Sequence, residues 1–331
     1  MLFVRIVHVI LFFLLPINFA WAQQDKDGHP SRGDDVALGV TSNSIMCISI
    51  PKCGTHLFTK CLALLDPKNI TIAFDYNQDK QYKETLLNER MRRAIETNKK
   101  LAPKHDLGGL IERSTLIGTR PEAIVYCMKN YNNHAYSEHW PYSQQSEQFF
   151  DQHTRANFFI IRDPRDMIVS MAFYVSQGPD NLKINIDDLI FDFIDGRKQH
   201  FAPWGVGTNP GYPLLYEHGV AGFYNLYLPW MNVPKFYTVK FENLVGSKGG
   251  GSDDAQLLEI KNIANHLGIT VDDNQIKNIT DNLFGASTTF REGQIGSWKK
   301  HFTSEMKTAF KKAPGACDLL IALGYEKDSN W

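Results

Sequence analysis

The sequence predicts a three-layer α/β fold, with a central parallel sheet flanked by helices. Three observations predict it. Short apolar runs at 44–50, 123–128, 157–161 and 236–241 have the length of buried strands. Segments with helical apolar spacing lie between them, and strands alternating with helices argue for a parallel sheet covered on both faces. With 331 residues, 43% of them hydrophobic and 21% charged, the chain has core for one large α/β domain or two small ones. No internal repeat is visible.

The elements follow in chain order. Arg5 precedes an apolar run over 6–15 that continues to Phe19, and Ala20-Trp21-Ala22 offers a small-residue cleavage pattern. Residues 1–22 therefore read as a secretory signal peptide, with an uncleaved signal-anchor and membrane association through it as the alternative. Residues 23–43 are a polar linker and 44–331 the folded domain.

Residues 44–65, SIMCISIPKCGTHLFTKCLALL, are the centre of the chain. The Ile-rich start is a buried strand, which Pro51 ends because it cannot donate to a ladder. Gly54 permits a tight turn and Thr55 stands where a helix N-cap would. Leu57, Phe58, Cys61, Leu62 and Leu65 then recur at a helical period. A strand, a glycine turn and a helix aim backbone N–H groups at one point, and the helix dipole and Lys52 add positive charge. This is a P-loop-like anion cradle for phosphate, or else an ordinary strand–turn–helix with a solvated lysine. The Walker A order is absent because the lysine precedes the glycine, which disfavours nucleoside triphosphate hydrolysis.

Beyond it, a helix is predicted over 83–100, a strand over 123–128, a polar aromatic loop over 130–146 and a helix around Phe149-Phe150. The strand at 157–161 leads through Arg162-Asp163-Pro164 into a helix to about Tyr174. An amphipathic segment covers 186–196, a Gly/Pro loop 204–213, and a helix 216–230 ending at Pro229. After the strand at 236–241, the glycine-rich 247–252 reads as a mobile loop. Helices at 255–267, 273–283 and up to Leu323 complete the chain.

The net charge of −1 gives no global steering toward nucleic acid. Five cysteines carry no paired spacing. Cys47, Cys61 and Cys127 read as buried thiols, and no metal motif is present.

Two further segments, NFFIIRDPRDMIVSMAFY at 157–174 and FREGQIGSWKKHFT at 290–303, join Pro51-Lys52-Cys53-Gly54-Thr55 in one order. Together they resemble the sulfotransferase family that uses 3′-phosphoadenosine 5′-phosphosulfate (PAPS), over about 44–331. The resemblance implies an enzyme on a P-loop-like fold, with PAPS as sulfate donor and no metal. It assigns Lys52 to the charge developing on the leaving phosphate, and Cys53, Gly54, Thr55, His56 and Leu57 to the loop around the donor's 5′-phosphate. Arg162 and Ser170 take the 3′-phosphate, with Arg291 and Gly293 completing that site; a guanidinium suits phosphate because it binds bidentately. Tyr212 matches a family tyrosine near the donor. Trp298 is a core anchor or a wall of the site. Arg165 and Asp166 are expected to cap and pair on the helix surface, and a local Arg162–Asp163 ion pair is the bland reading of that motif.

The chain departs from the family pattern at several places. Cys53 replaces Ser, His56 and Leu57 replace Thr and Trp, and Ser137 replaces a Lys. Glu292 replaces a Lys and is expected to point away from the phosphate. His139-Trp140-Pro141-Tyr142 resembles the family's His-Leu-Pro element, which makes His139 the candidate general base. His134 competes with it, and Glu138 or a residue in 70–110 remain open.

The expected function is transfer of a sulfuryl group from PAPS to a hydroxyl or amine of a small-molecule, lipid or carbohydrate acceptor. The alternative is a binder of nucleotides or sulfated glycans on the same fold without turnover, and a phosphotransferase is third. The leader implies the secretory pathway, such as the Golgi lumen, where Asn69-Ile70-Thr71 and Asn278-Ile279-Thr280 are candidate glycosylation sites.

Overall fold

Five parallel strands form one sheet: β1 (Ile45–Ser49), β2 (Thr71–Ile72), β3 (His134–Glu138), β4 (Ala156–Ile161) and β5 (Phe236–Lys240), in the order β2-β3-β1-β4-β5. The computed structural model describes residues 43–67, 70–72, 134–176, 185–196, 211–285 and 291–331. All of them fall in one compact unit, Val40–Trp331. The expected signal peptide, the helix at 83–100, the strand at 123–128, Cys127 and Asn69 lie outside the described residues. No helix among the described residues is long and apolar enough to cross a membrane.

The helices are α1 (Thr55–Leu65), α2 (Gln144–His153), α3 (Pro164–Ser176), α4 (Ile186–Asp195), α5 (Gly211–Asn225), α6 (Phe241–Leu244), α7 (Asp253–His266), α8 (Asp273–Leu283), α9 (Trp298–His301), α10 (Ser304–Lys312) and α11 (Ala316–Ala322). The central strand β1 is buried at all five positions, four of them apolar and the fifth Ser49, as a strand covered on both faces should be. Alternate side chains serve opposite faces. Met46, Ile48, Phe159 and Ile161 meet Met171, Phe193 and Phe223 of α3, α4 and α5 on one side. Ile45, Cys47, Phe158 and Ile160 meet Phe58 and Leu62 of α1 and Ile260 and Ile279 of α7 and α8 on the other. Burying these two apolar layers is the main stabilising term.

Several boundaries differ from the sequence reading. The polar loop expected over 130–146 contains β3, whose pairing with β1 supplies the backbone hydrogen bonds that its composition does not advertise. It also contains the start of α2, capped where the Ser143 hydroxyl accepts from the Ser146 N–H. The helix expected over 216–230 begins earlier, at Gly211, and breaks at Gly219 (φ 62°), while Pro229 sits in a 3-10 turn, Leu228–Asn232. Residues 211–213 therefore belong to α5 rather than to a Gly/Pro loop.

The 247–252 segment is a tied-down turn, not a mobile loop. Its 3-10 turn, Ser247–Gly249, carries backbone bonds from Gly249, Gly250 and Gly251 N–H at 2.9–3.1 Å.

The register brings four strand ends level. Ile48 pairs with Glu138, Ser49 with Ile160, and Ile161 with Lys240. The residues that follow, including Lys52, His139, Arg162 and Glu242, therefore leave the sheet at one edge. Adjacent β1 and β4 feed helices on opposite faces, α1 and α3, so a crevice opens between their loops.

Candidate functional site

The crevice is walled first by the β1–α1 loop. The N-cap of α1 is Gly54, not Thr55, and no side chain caps the helix. The opening N–H groups of a helix have no partner within it, and those of α1 follow directly on the Lys52 loop. Gly54 has φ 107°, and a Cβ there would stand 2.7 Å from a Phe241 ring carbon, so glycine is required twice over. Lys52 itself has φ 66°, the one positive φ at a non-glycine among the described residues. Strained backbone of this kind is held in place by its surroundings and concentrates at functional positions.

Three cations converge on one face of α3. The Lys52 ammonium lies 4.1 Å from the Tyr174 ring centre, and the Arg291 guanidinium 4.1 Å from that of Phe173. Arg162 lies 3.9 Å from the Asp166 carboxylate and stacks on Phe241 at 4.2 Å. Asp166, Ser170, Phe173 and Tyr174 are spaced three and four residues apart on α3 and share a face. Half-buried Ser170 is therefore one helical turn from each of the groups that hold the three cations.

Burial first, and then the charges of Arg162 and Arg291, lower the Lys52 pKa to about 8. Arg162 is only 7% exposed, and its Nε is a buried donor with no partner among the described residues.

The loop 291–298 closes the crevice. Arg162 donates to the Gln294 carbonyl (2.8 Å). Ile295 N–H donates to the Gly249 carbonyl (2.9 Å), and Gln294 Nε2 to the Lys248 carbonyl (2.9 Å). Gly293 takes φ 62° at the turn. Glu292 accepts from Arg291 (2.7 Å) and from the Ser297 hydroxyl (3.0 Å), so it is turned onto the guanidinium itself.

Arg165 and Asp166 are not surface residues, being 2% and 1% exposed. Arg165 forks onto Asp163 (2.8 and 3.0 Å) and reaches Glu326 (2.6 Å), while stacking on Trp298 at 4.1 Å. The Asp163 ion pair is thus with Arg165 rather than with Arg162. Trp298 is a core anchor, buried against Phe302 and Trp331.

On the β3 side, His139 Nδ1 stands 2.8 Å from the Ser49 carbonyl and 3.1 Å from the Ser49 hydroxyl, which in turn lies 2.6 Å from the Thr55 hydroxyl. A carbonyl only accepts, so Nδ1 carries the proton and Nε2 the lone pair. Burial first, opposed by the Ser49 bond and reinforced by the charges of Lys52 and His56, lowers the His139 pKa to about 4. The imidazole is neutral at physiological pH and lies within electrostatic reach of Lys52.

The remaining candidates divide. Cys53 is fully buried, its Sγ 3.5 Å from the Tyr224 hydroxyl, and burial pushes its thiol up to about 12, so it braces the loop rather than contacting a ligand as a thiolate. Tyr224 donates onward to the Arg162 carbonyl (2.8 Å), linking the first two motifs. His56 is exposed and Leu57 half-buried at the start of α1. Tyr212 lies in the first turn of α5 and His134 opens β3, but both side chains are outside the described residues. Sequence reasoning missed Ser49, Phe173, Tyr174 and the burial of Asp166; the helical spacing of the last three around Ser170 was the available signal.

No protein-family model matches this chain, and no curated protein matches it by sequence. Among solved structures, it is similar to the mouse sulfotransferase SULT7A1 complexed with PAP, with a TM-score of 0.52 and 15% identity over 82% of this chain and 83% of that one. The likeness establishes the fold, a sulfotransferase-like α/β arrangement around a parallel sheet.

Proposed function

We propose that this chain is a PAPS-dependent sulfotransferase. The observation that carries the reading is the convergence of Lys52, Arg162 and Arg291 on the α3 face around Ser170, beside an uncapped helix N-terminus. The sulfotransferase-like fold and the PAP bound to the mouse neighbour support it.

PAPS supplies the sulfuryl group. The 52–57 loop holds its 5′-phosphate side, and Arg162, Ser170, Arg291 and Gly293 hold its 3′-phosphate. The buried Arg162 Nε and the Gly54 cradle fit such an anion. His139 Nε2 takes the proton of the acceptor hydroxyl as the acceptor oxygen bonds to sulfur. Lys52 offsets the negative charge that builds on the leaving phosphate oxygen as the sulfur–oxygen bond breaks. The acceptor is a small molecule, lipid or carbohydrate, and the compartment is the secretory pathway.

One observation favours a second reading. Glu292 occupies Arg291, which weakens the 3′-phosphate grip and suits a nucleotide or sulfated-glycan binder without turnover. Incubation with radiolabelled PAPS and a panel of phenol, sterol, lipid and sugar acceptors separates the two. Label in an acceptor supports the transferase; donor binding with no transfer selects the binder.

A further inference from the structure

The sequence motifs account for the cations of the site but not for the group that fixes where two of them stand. Asp166 is 1% exposed in the first turn of α3. Its Oδ2 accepts the Gly296 N–H and its Oδ1 the Trp298 N–H, each at 2.8 Å. The same Oδ2 lies 3.9 Å from Arg162 Nη2, which donates to the Gln294 carbonyl at 2.8 Å. Gln294, Gly296 and Trp298 are thus gripped in alternation by one guanidinium and one carboxylate. Ser297, inside that grip, in turn reaches Arg291 (3.3 Å).

We propose that Asp166 is a positioning residue that assembles the 3′-phosphate half of the donor site, setting Arg162 directly and Arg291 through the 291–298 loop. The inference rests on the donor reading above. Asp166 touches no ligand. Two backbone N–H groups use both its oxygens, and no neutral side chain of the same shape can accept both, since an amide presents its own N–H groups to one of them. The charged groups facing it are Arg162 at the end of β4, Asp163 before α3 and Arg291 from the loop. The opposite edge of the loop is held by Gly249 and Lys248, so it remains attached when Asp166 is altered, and the expected change is a shift of the arginines rather than unfolding. The Lys52 loop is untouched, being built on Gly54, Cys53 and Tyr224.

The test is selectivity between two nucleotides. Adenosine 3′,5′-bisphosphate and adenosine 5′-phosphate are titrated calorimetrically into wild type and Asp166→Asn, with circular dichroism to establish folding. Wild type is expected to prefer the bisphosphate. Asp166→Asn is expected to lose roughly tenfold or more in bisphosphate affinity, the scale of a charge-assisted hydrogen bond, while 5′-phosphate affinity stays within about twofold. A merely structural role would weaken both ligands alike. If Asp166→Asn does not fold, Asp166→Glu, which keeps the charge on a longer arm, is read by the same two titrations and is expected to show reduced preference. An unchanged preference in the folded variant overturns the Asp166 assignment and leaves the donor reading standing. A wild type without preference for the bisphosphate overturns the donor reading and this assignment with it.

Discussion

His139 donates a hydrogen bond from Nδ1–H to the main-chain carbonyl of Ser49 across 2.8 Å. That bond fixes the tautomer, because a carbonyl cannot donate, and leaves Nε2 as the basic nitrogen. The pH dependence follows. The base must be neutral, so activity falls as pH drops through about 4; Lys52 must be charged, so activity falls as pH rises through about 8. The pH profile of kcat/KM, which reports the free enzyme, is expected to show limbs at those two values. The alkaline limb of kcat should lie higher, because a bound anion favours the charged lysine. A single acid limb near the ordinary histidine value would count against this environment.

Removing the imidazole tests the base itself. His139→Ala should lose roughly 10²–10⁴ in turnover while keeping nucleotide affinity, because the phosphate contacts lie in other segments. His134→Ala, at the far end of β3, should stay active. The reverse pattern, measured by turnover and calorimetry on both variants, would move the base five residues earlier.

Lys52 combines a required charge with a costly backbone. At φ 66° an alanine is strained and a glycine is not. Lys52→Gly should therefore be more stable than Lys52→Ala by about 1 kcal/mol, although both lose turnover to a similar degree. Chemical denaturation of the two variants checks the order; equal stabilities would mean that the loop relaxes around position 52.

A Gly54→Ala substitution meets two obstacles at once, a φ of 107° and the Phe241 ring 2.7 Å away. Phe241 is the ring on which Arg162 stacks, so the change should reach Arg162 as well. Donor affinity is expected to fall by tenfold or more, with a loss of about 1–3 kcal/mol in stability. Wild-type affinity in this variant would show that the loop has room to spare.

Much of the fold is legible where the chain is locally consistent. The runs of β1 and β4 are apolar but for Ser49 and Asn157, and Pro164 after Arg162-Asp163 marks the start of α3 as a proline at a first helical position should. Strand β3, HAYSE, is different: pairing with β1 and β2 and the burial of Ala135 and Tyr136 make it a strand, and neither is written in its polar composition. The 247–252 glycines read as freedom but serve close approach. A Cβ at Gly249 would lie 2.7 Å from the Gly293 carbonyl oxygen. Asp166 read as a surface helix residue because its partners, Gly296 and Trp298, stand 130 and 132 positions later. Motif order named Lys52, Arg162, Ser170 and Arg291, which the fold brings together at α3; the packing that couples them was not legible.

The most direct test of the donor reading is calorimetric titration of adenosine 3′,5′-bisphosphate into wild type and Arg162→Ala. Arg162, which follows directly on β4, is a buried guanidinium whose Nε has no partner among the described residues. The account predicts one site per chain in wild type and an affinity loss of about 1.5–3 kcal/mol in the variant, the scale of a hydrogen bond to a charged group. No binding in wild type, or equal binding by Arg162→Ala, would contradict it.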